Sequence, residues 1–253
     1  MTLLEVHDLR LSFGGVIALD GASLAVEVGR ITGLIGPNGA GKTTLFNVVS
    51  GALKPQSGRI RFNGTDVTGW RPEQLSRAGL ARTFQVARGL PRLTVLENLM
   101  VYGKDQPGER LAHAIVPSGA AQERETTLRQ RALDIARMLD LLPLGDSRAQ
   151  DLSGGQKKLL ELGRVLMADP KLVLLDEPAA GVNPTLARRL AGHIRELQRH
   201  GLTFLVVEHN MGLVAELCDD VVVLSQGKRL ASGSFEEVRS DRRVQEAYLG
   251  FRS

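Results

Sequence analysis

Apolar and polar residues alternate partly near the N-terminus, whereas later parts of the chain contain short, continuous apolar runs. Partial alternation is typical of a strand with one buried face, and an unbroken apolar run is typical of a strand buried on both faces. A strand that ends in a turn pair such as Asn63-Gly64 also favours a hairpin. The pattern predicts strands over residues 3–13, 22–28, 30–35, 58–62, 172–175, 203–207 and 221–224.

A different periodicity marks the middle of the chain, where residues from about 86 to 160 are predicted to be mostly helical. Leu128, Ala132, Ile135 and Leu139 recur every three or four residues, which is the spacing of a buried helical stripe. The segment over residues 103–121 is rich in glycine, proline and charged residues. We therefore expect that segment to be a loop.

Two local signals predict helix starts. Thr94 and Glu97 fit a capping box, in which each side chain accepts a hydrogen bond from a free backbone amide. Asn183 and Pro184 fit an N-cap followed by proline in the first turn, where proline loses no hydrogen bond. Both signals identify where a helix begins without reference to the rest of the fold.

The order of these elements indicates the fold class. Apolar strands that alternate with helices indicate an α/β fold with a mainly parallel sheet buried on both faces. The helical stretch interrupts this alternation, so we expect a helical insertion within an α/β core. A chain of 253 residues, 43% of them hydrophobic, supplies enough apolar surface for such a core.

Composition excludes several classes of function. The apolar runs are strand-sized, so no membrane span is expected, and the first residues lack the pattern of a signal peptide. The net charge is +4, but the basic residues are scattered and only 4% of residues are aromatic, so we expect no nucleic-acid partner. The lone cysteine, Cys218, is expected to be a small apolar helix residue.

One glycine-rich segment points to phosphate binding. It follows a predicted strand and opens a helix predicted to end near Gly51, which is the context that the pattern G-x-x-x-x-G-K-[ST] requires. Backbone amides then converge on phosphate oxygens, Lys42 reaches the β- and γ-phosphates of ATP, and the Thr43 hydroxyl ligates Mg²⁺. The residues expected to bind the nucleotide are Gly36, Pro37, Asn38, Gly39, Ala40, Gly41, Lys42, Thr43 and Thr44.

A second nucleotide signal is the pair of carboxylates that follows the apolar strand over residues 172–175. In an open α/β sheet, ligands bind at the carboxyl ends of the strands. Asp176 is expected to support Mg²⁺, directly or through water. Glu177 is expected to polarise the attacking water as a general base.

A third segment separates this chain from other phosphate-loop proteins. Ser153 is predicted to be a helix N-cap with free glycine amides beside it, which makes a second anion site. The segment Leu152-Ser153-Gly154-Gly155-Gln156 resembles the signature sequence of ATP-binding cassette proteins, and it precedes the carboxylate pair in the same order as in that family.

This resemblance implies roles for further residues. Phe13 resembles the aromatic residue that stacks on adenine, although a lone strand aromatic also fits a place in the core. Gln85 resembles the glutamine that touches Mg²⁺ or the attacking water where the helical insertion hinges. Residues 179–183 resemble the D-loop, with Asn183 where many members carry Asp, which weakens any role for a carboxylate there. His209 resembles the switch histidine that contacts the γ-phosphate.

Within that family, the chain is similar to the ATPases of branched-chain amino acid importers over nearly its whole length. The matching stretches are residues 79–85, 93–99, 176–181 and 247–250. Importers of urea and short amides share most of these stretches. The lipopolysaccharide-exporter ATPase is also similar, but it is usually shorter at its C-terminus.

The resemblance also implies the architecture, a single cassette domain over residues 1–253. Its RecA-like phosphate-loop core would comprise about residues 1–86 and 161–227, with an antiparallel β subdomain at the N-terminus. An α-helical subdomain would occupy about residues 87–160, and residues 228–253 would form a C-terminal tail.

The family mechanism implies a dimer, because one subunit cannot complete a site. Each phosphate loop would face Ser153, Gly154, Gly155 and Gln156 of a second ATPase, which is either a paralogue or another copy of this chain. ATP would close the pair, and the Gln85 hinge would pass the motion to transmembrane permease subunits. Residues 86–91 are either the permease contact or only a surface loop.

The family mechanism also implies a location in the cell, and several alternative functions remain open. The chain would lie peripherally on the cytoplasmic face of the inner membrane, with a periplasmic binding protein as an indirect partner. A urea or amide importer, a lipopolysaccharide-type exporter and a soluble cassette ATPase remain alternatives. The soluble class is less favoured, because there is one copy of each motif and no sustained heptad pattern. A phosphate-loop kinase would leave the Ser153 segment unexplained.

Overall fold

The computed structural model of the protein describes residues 1–83, 90–104 and 119–249, the side chains of residues 119–121 excepted. The chain divides into two compact units, Met1–Arg82 with Lys171–Ser253 and Thr83–Pro170. Within the described residues, no helix combines the length and the apolar character that crossing a membrane requires.

Ten strands and nine α-helices are found in the described part of the chain. The strands are β1 (Thr2–Phe13), β2 (Val16–Glu27), β3 (Ile31–Ile35), β4 (Ser57–Phe62), β5 (Thr65–Asp66), β6 (Leu80–Arg82), β7 (Leu172–Asp176), β8 (Thr203–Val207), β9 (Asp220–Ser225) and β10 (Lys228–Gly233). The helices are α1 (Lys42–Val49), α2 (Pro72–Ala78), α3 (Val95–Val101), α4 (Gly119–Met138), α5 (Gly154–Met167), α6 (Pro184–Arg199), α7 (Met211–Leu217), α8 (Phe235–Ser240) and α9 (Arg242–Leu249).

Two sheets form the first unit. An antiparallel sheet has the strand order β2-β1-β4-β5. A six-stranded sheet has the order β10-β9-β3-β8-β7-β6, in which all neighbours are parallel except the edge strand β10, which is antiparallel to β9. Every residue of β3, β7 and β8 is buried, as predicted for parallel strands covered on both faces. The expected α/β fold with an N-terminal antiparallel sheet is confirmed.

Helix packing in the second unit involves a buried polar contact. The carboxamide of Asn98 on α3 donates to the carbonyl oxygens of Leu90, Leu93 and Thr94 at 2.9–3.1 Å. Its oxygen accepts a 2.5 Å hydrogen bond from Arg164 on α5. Because both side chains are buried, these bonds offset the cost of removing them from water. The pair therefore fixes α5 against the start of α3.

Most local predictions are confirmed. Thr94 and Glu97 form the predicted capping box, and the Asn183 side chain caps α6 by accepting from the Leu186 amide at 2.9 Å. Asn63 and Gly64 both have positive φ, as a hairpin turn requires. The predicted helical stripe is buried throughout: Leu128, Ala132, Ile135 and Leu139.

Two predicted boundaries are wrong. Strand β2 begins at Val16 and not near residue 22, because Gly14 and Gly15 both adopt positive φ and close a tight hairpin directly after β1. Residues 105–118 of the predicted loop over residues 103–121 lie outside the described residues, and the prediction is wrong at its end, because α4 already begins at Gly119. The two residues that follow, Ala120 and Ala121, are the best helix formers.

Cys218 is the C-cap that follows α7 and has an extended backbone, so the expectation of a helix residue is wrong by one position. Its side chain faces Gly33 of β3. Burial raises the pKa of its thiol to about 12, so the side chain is neutral and acts as a small apolar group. A Cβ atom added at Gly33 in β3 would lie only 2.8 Å from the Cys218 sulfur. The close approach of α7 to the sheet therefore requires glycine at this position.

We predict that Gly33→Ala lowers the free energy of unfolding by about 1–3 kcal/mol, because the new methyl group overpacks the sulfur. Cys218→Ala in the same chain should recover most of this loss, since it removes the clashing atom. Chemical denaturation of the two single variants and the double variant measures both effects.

Gly192→Ala is the matched control, because a Cβ there meets nothing within 4 Å and the residue lies in α6. It should stabilise the chain by about 0.5–1 kcal/mol through helix propensity. Equal destabilisation of Gly33→Ala with and without Cys218 would contradict the packing explanation.

Candidate functional site

Three neighbouring parallel strands end at the same edge of the six-stranded sheet. β8 lies between β3 and β7, and the residue Val207 at its end pairs with Leu34 on one side and Asp176 on the other. The segments that follow these strands begin at Gly36, Glu208 and Glu177. The predicted phosphate loop, the predicted carboxylates and the predicted switch histidine therefore meet at one edge, as ligand sites of α/β sheets do.

The phosphate loop connects β3 to α1 through two positions that only glycine fits. Gly36 has φ 150°, and a Cβ atom there would lie 2.1 Å from the carbonyl oxygen of Leu224. Gly41 has φ 97°, and its Cβ would lie 2.5 Å from the carbonyl oxygen of Ala18. Glycine at these two positions lets the loop turn tightly against β2 and β9, because no Cβ atom collides with the neighbouring carbonyl oxygens.

The start of α1 supplies free amide donors. Its first helical hydrogen bond runs from the Leu45 amide to the Gly41 carbonyl at 2.8 Å, so the amides of Lys42, Thr43 and Thr44 have no acceptor within the helix. Gly41, as the N-cap, has no side chain to cap them. Together with the helix dipole, these donors make the loop suited to an anion such as a phosphate.

The Lys42 side chain folds back over the loop. Its Nζ donates to the carbonyl oxygens of Gly36 at 2.7 Å and Pro37 at 2.9 Å. Burial lowers the pKa of Lys42, and the nearby charge of Glu177 partly offsets this effect. The ammonium group is thus held at the phosphate loop and within the electrostatic reach of the carboxylate.

Glu177 and His209 face each other across the strand ends. Glu177 Oε1 lies 3.6 Å from His209 Nδ1, and both side chains are partly exposed. The Glu177 backbone has φ 47°, a left-handed conformation that costs a non-glycine residue roughly 1–2 kcal/mol. Its amide donates to the Val207 carbonyl at 2.9 Å, which ties the turn to β8.

Asp176 is buried and paired with a residue that sequence analysis gave no role. Arg82 Nη2 donates to Asp176 Oδ2 at 2.9 Å, while Nη1 bonds to Asn47 Oδ1 at 2.7 Å and Ser50 Oγ at 2.9 Å. The guanidinium also lies over the Phe46 ring, 5.0 Å from its centroid. Arg82 therefore joins α1 to the end of β7.

Glu208 is a second residue that the sequence analysis did not single out. It precedes His209 and is buried, with 2% of its surface exposed. The signal that could have indicated it is an acidic residue directly after an apolar strand, which is the same signal that identified Asp176 and Glu177. Its partners are backbone amides brought together only by the fold, so no sequence pattern specifies them.

In the second unit, Ser153 is the N-cap of α5, as predicted. Its Oγ accepts from the Gln156 amide at 3.3 Å, and Gln156 Oε1 accepts from the Ser153 amide at 2.8 Å. Gln156 is thus engaged in a capping box. Ser153 and Gly154 are exposed, whereas Gly155 is buried.

The other predicted site residues fall in different places. Phe13 ends β1 and is 48% exposed beside the exposed side chains of Val16 and Ile17, so its alternative place in the core is wrong. Gln85, and residues 86–89 of the proposed permease contact, lie outside the described residues. Asn183 serves as the α6 N-cap.

Comparison with protein-family models gives two matches. The model of the ABC transporter family matches residues 19–180, which include the phosphate loop and both carboxylates. A second model, described as branched-chain amino acid ATP-binding cassette transporter, matches residues 228–250, which include β10, α8 and α9. The two models together cover most of the chain.

Curated relatives match the chain over nearly its full length. A probable branched-chain amino acid transport ATP-binding protein LivG from Archaeoglobus fulgidus is 42% identical and covers 99% of this chain and 96% of its own. A protein of the same name from Methanocaldococcus jannaschii is 41% identical, with 99% and 98% covered. The high-affinity LivG protein of Escherichia coli K12 is 36% identical, with 98% of each chain covered.

Two solved structures share the fold. One is the ADP conformation of an ATP-binding cassette of an ABC transporter, with a TM-score of 0.86, 40% identity and 99% of each chain covered. The other is a nucleotide-free ATP-binding cassette from an ABC transporter, with a TM-score of 0.84, 39% identity and 98% of each chain covered.

We predict that Arg82→Ala lowers the free energy of unfolding by about 3–5 kcal/mol, because Asp176 loses its partner while it remains buried. Adding Asp176→Asn should recover part of the loss, since the remaining group is neutral. Denaturation of the nucleotide-free chains measures the coupling between the two residues.

Arg59→Ala is the control for this prediction, because Arg59 forms an exposed ion pair with Asp66. Its effect should stay within about 1 kcal/mol. If Asp176→Asn left the cost of Arg82→Ala unchanged, the ion pair would not be the source of the stabilisation.

Proposed function

The chain belongs to the ABC transporter family of ATPases, and on that premise we propose that it is the ATP-hydrolysing subunit of an importer for branched-chain amino acids. The observation that carries the choice of substrate is the match of residues 228–250 to the C-terminal model of branched-chain amino acid cassettes. The full-length likeness to LivG proteins supports the same choice.

The chemistry of the sheet edge supports ATP hydrolysis. We assign the phosphates of ATP to the backbone amides of the loop that ends at Lys42, Thr43 and Thr44, with Lys42 Nζ leaving the Gly36 and Pro37 carbonyls for phosphate oxygens. The desolvated ammonium interacts more strongly with an anion than an exposed one would. Phe13 is exposed at the end of β1, where it pairs with Val16 of β2. We assign this side chain to the adenine ring.

Mg²⁺ is the metal that the available ligands fit. The Thr43 hydroxyl and the Asp176 carboxylate are hard oxygen ligands, the kind that Mg²⁺ prefers in combination with phosphate oxygens and water. Arg82 bonds to Oδ2 of Asp176, so Oδ1 can serve as the ligand atom without loss of that ion pair. When bound, the ion supplies charge neutralisation for the phosphates. Gln85 is proposed as a third ligand.

The reacting water is assigned to Glu177 and His209. Glu177 is partly exposed and therefore accessible to water, and its carboxylate accepts the proton as the general base. His209, at 3.6 Å, orients the carboxylate and contacts the γ-phosphate. The left-handed backbone of Glu177 fixes the direction of its side chain, which is how strain serves a functional site.

A second ATPase subunit completes the site in this proposal. The exposed Ser153 and Gly154 present the N-terminus of α5 to a nucleotide bound by another subunit, with Gly155 and Gln156 supporting the turn. That subunit is a paralogue or a second copy. The assembly lies on the cytoplasmic face of the inner membrane with permease subunits, and a periplasmic binding protein delivers the amino acid.

We predict that Glu177→Gln retains ATP binding and traps the closed ATPase pair, because only the proton acceptor is lost. Hydrolysis should fall by about 10²–10⁴-fold, the usual contribution of a general base. Phosphate release and size-exclusion chromatography with ATP measure the two effects. Glu196→Gln, on the exposed face of α6, is the matched control. An unchanged hydrolysis rate would remove Glu177 from this role.

We predict that leucine-loaded binding protein stimulates ATP hydrolysis by the membrane complex captured with this chain. The measurement compares phosphate release with loaded, empty and absent binding protein in reconstituted vesicles. Hydrolysis indifferent to leucine would contradict the proposed substrate and direct the same assay to urea, amides and lipid. Failure to capture any membrane subunit would contradict the transport proposal itself and favour a soluble cassette.

A further inference from the structure

A buried carboxylate next to the switch histidine has no role in the mechanism described above. Glu208 directly follows β8, and 2% of its surface is exposed. Among the described residues, no Lys, Arg or His side chain forms an ion pair with it. A charge buried in this way is costly unless hydrogen bonds compensate it.

Backbone amides provide that compensation on two sides. Glu208 Oε1 accepts from the Ala179 amide at 3.1 Å. Its Oε2 accepts from the His209 amide at 3.1 Å and from the Asn210 amide at 3.4 Å. Hydrogen bonds to an ionised acceptor are roughly twice as strong as those between neutral groups. The carboxylate thus joins two separate loops of the site.

The two loops flank the Glu177–His209 contact. Ala179 follows Glu177 by two residues in the turn after β7, while His209 is the second residue of the segment after β8 and directly follows Glu208. A change in either loop therefore alters the position of the carboxylate relative to the imidazole. Glu208 binds the backbone of both loops that carry that contact.

We propose that Glu208 is a positioning residue that sets the distance between Glu177 and His209 by binding the backbone on both sides of them. The inference rests on the proposed function, since it assigns these two side chains to one reacting water and phosphate. Glu208 itself is buried and does not touch the reacting atoms.

The proposed role requires that both side-chain oxygens of Glu208 accept hydrogen bonds. Within the described part of the chain, each hydrogen bond to the Glu208 side chain comes from a backbone N–H donor. Glutamine has the same shape but offers one acceptor oxygen and one NH₂ donor. Glu208→Gln therefore breaks the connection at one end while it leaves the volume of the side chain unchanged.

The test measures ATP hydrolysis by the complex of the full chain with its membrane subunits. Glu208→Gln should lower kcat by about tenfold to a hundredfold, the scale of a small misplacement of catalytic groups. The KM for ATP and the binding of a non-hydrolysable ATP analogue should change by less than about threefold, because the phosphate loop is untouched. Glu216→Gln on the exposed side of α7 is the matched control.

A double-variant comparison separates positioning from a merely structural role. If Glu208 acts through His209, the loss of kcat caused by Glu208→Gln should shrink to less than about twofold in a His209→Ala background. An equal loss in both backgrounds, or no loss in the unsubstituted background, would overturn the inference. If Glu208→Gln does not fold, Glu208→Asp, which keeps both oxygens but shortens the reach, replaces it in the same comparison.

Measurements on the unsubstituted complex distinguish failure of the proposed function from failure of the proposed role of Glu208. If that complex does not hydrolyse ATP, the proposed function fails before any variant is compared. If it hydrolyses ATP and Glu208→Gln behaves like the Glu216→Gln control, only the role of Glu208 is overturned.

Discussion

The register of three parallel strands is the constraint on which the rest of the site depends. Val207 pairs with Leu34 and with Asp176, so β3, β8 and β7 end at the same level. A shift by one residue would turn each strand's side chains to the opposite face of the sheet. The unbroken apolar runs of β7 and β8 are followed directly by Asp176 and Glu208, so the ends of these runs mark the ends of the strands. The hydrophobic pattern of the strands therefore places the residues that follow them at the same edge of the sheet.

The two buried carboxylates at this edge are each balanced by partners that also connect two elements. Arg82 balances Asp176 and ties α1 to β7, whereas backbone amides balance Glu208 and tie two loops together. The Lys42 ammonium lies on carbonyl oxygens of its own loop. Each of these groups is therefore held at the edge of the sheet by hydrogen bonds to the protein itself.

The features predictable from sequence are those encoded within a few residues. The capping box at Thr94, the N-cap at Ser153 and the glycine positions of the phosphate loop depend on local backbone geometry, so the pattern alone identified them. The fold class followed from unbroken apolar strands alternating with helices. The Gly14-Gly15 turn was equally local, and its omission caused the error at the start of β2.

The features that sequence did not predict depend on contacts between distant segments. Arg82 reaches Asp176 because β6 pairs with β7, a neighbour relation that no short pattern contains. Glu208 binds the Ala179 amide across two strand ends. Propensity and periodicity describe one element at a time, and they cannot indicate which buried charge will meet which partner.

The most direct test of the central claim is a structure of the unsubstituted chain with Mg²⁺ and a non-hydrolysable ATP analogue. We predict that Lys42 Nζ leaves the Gly36 and Pro37 carbonyls for phosphate oxygens, with the terminal phosphate next to Glu177 and His209. A nucleotide bound elsewhere, or bound here with Lys42 still on those carbonyls, would contradict the claim that one sheet edge both binds and hydrolyses ATP.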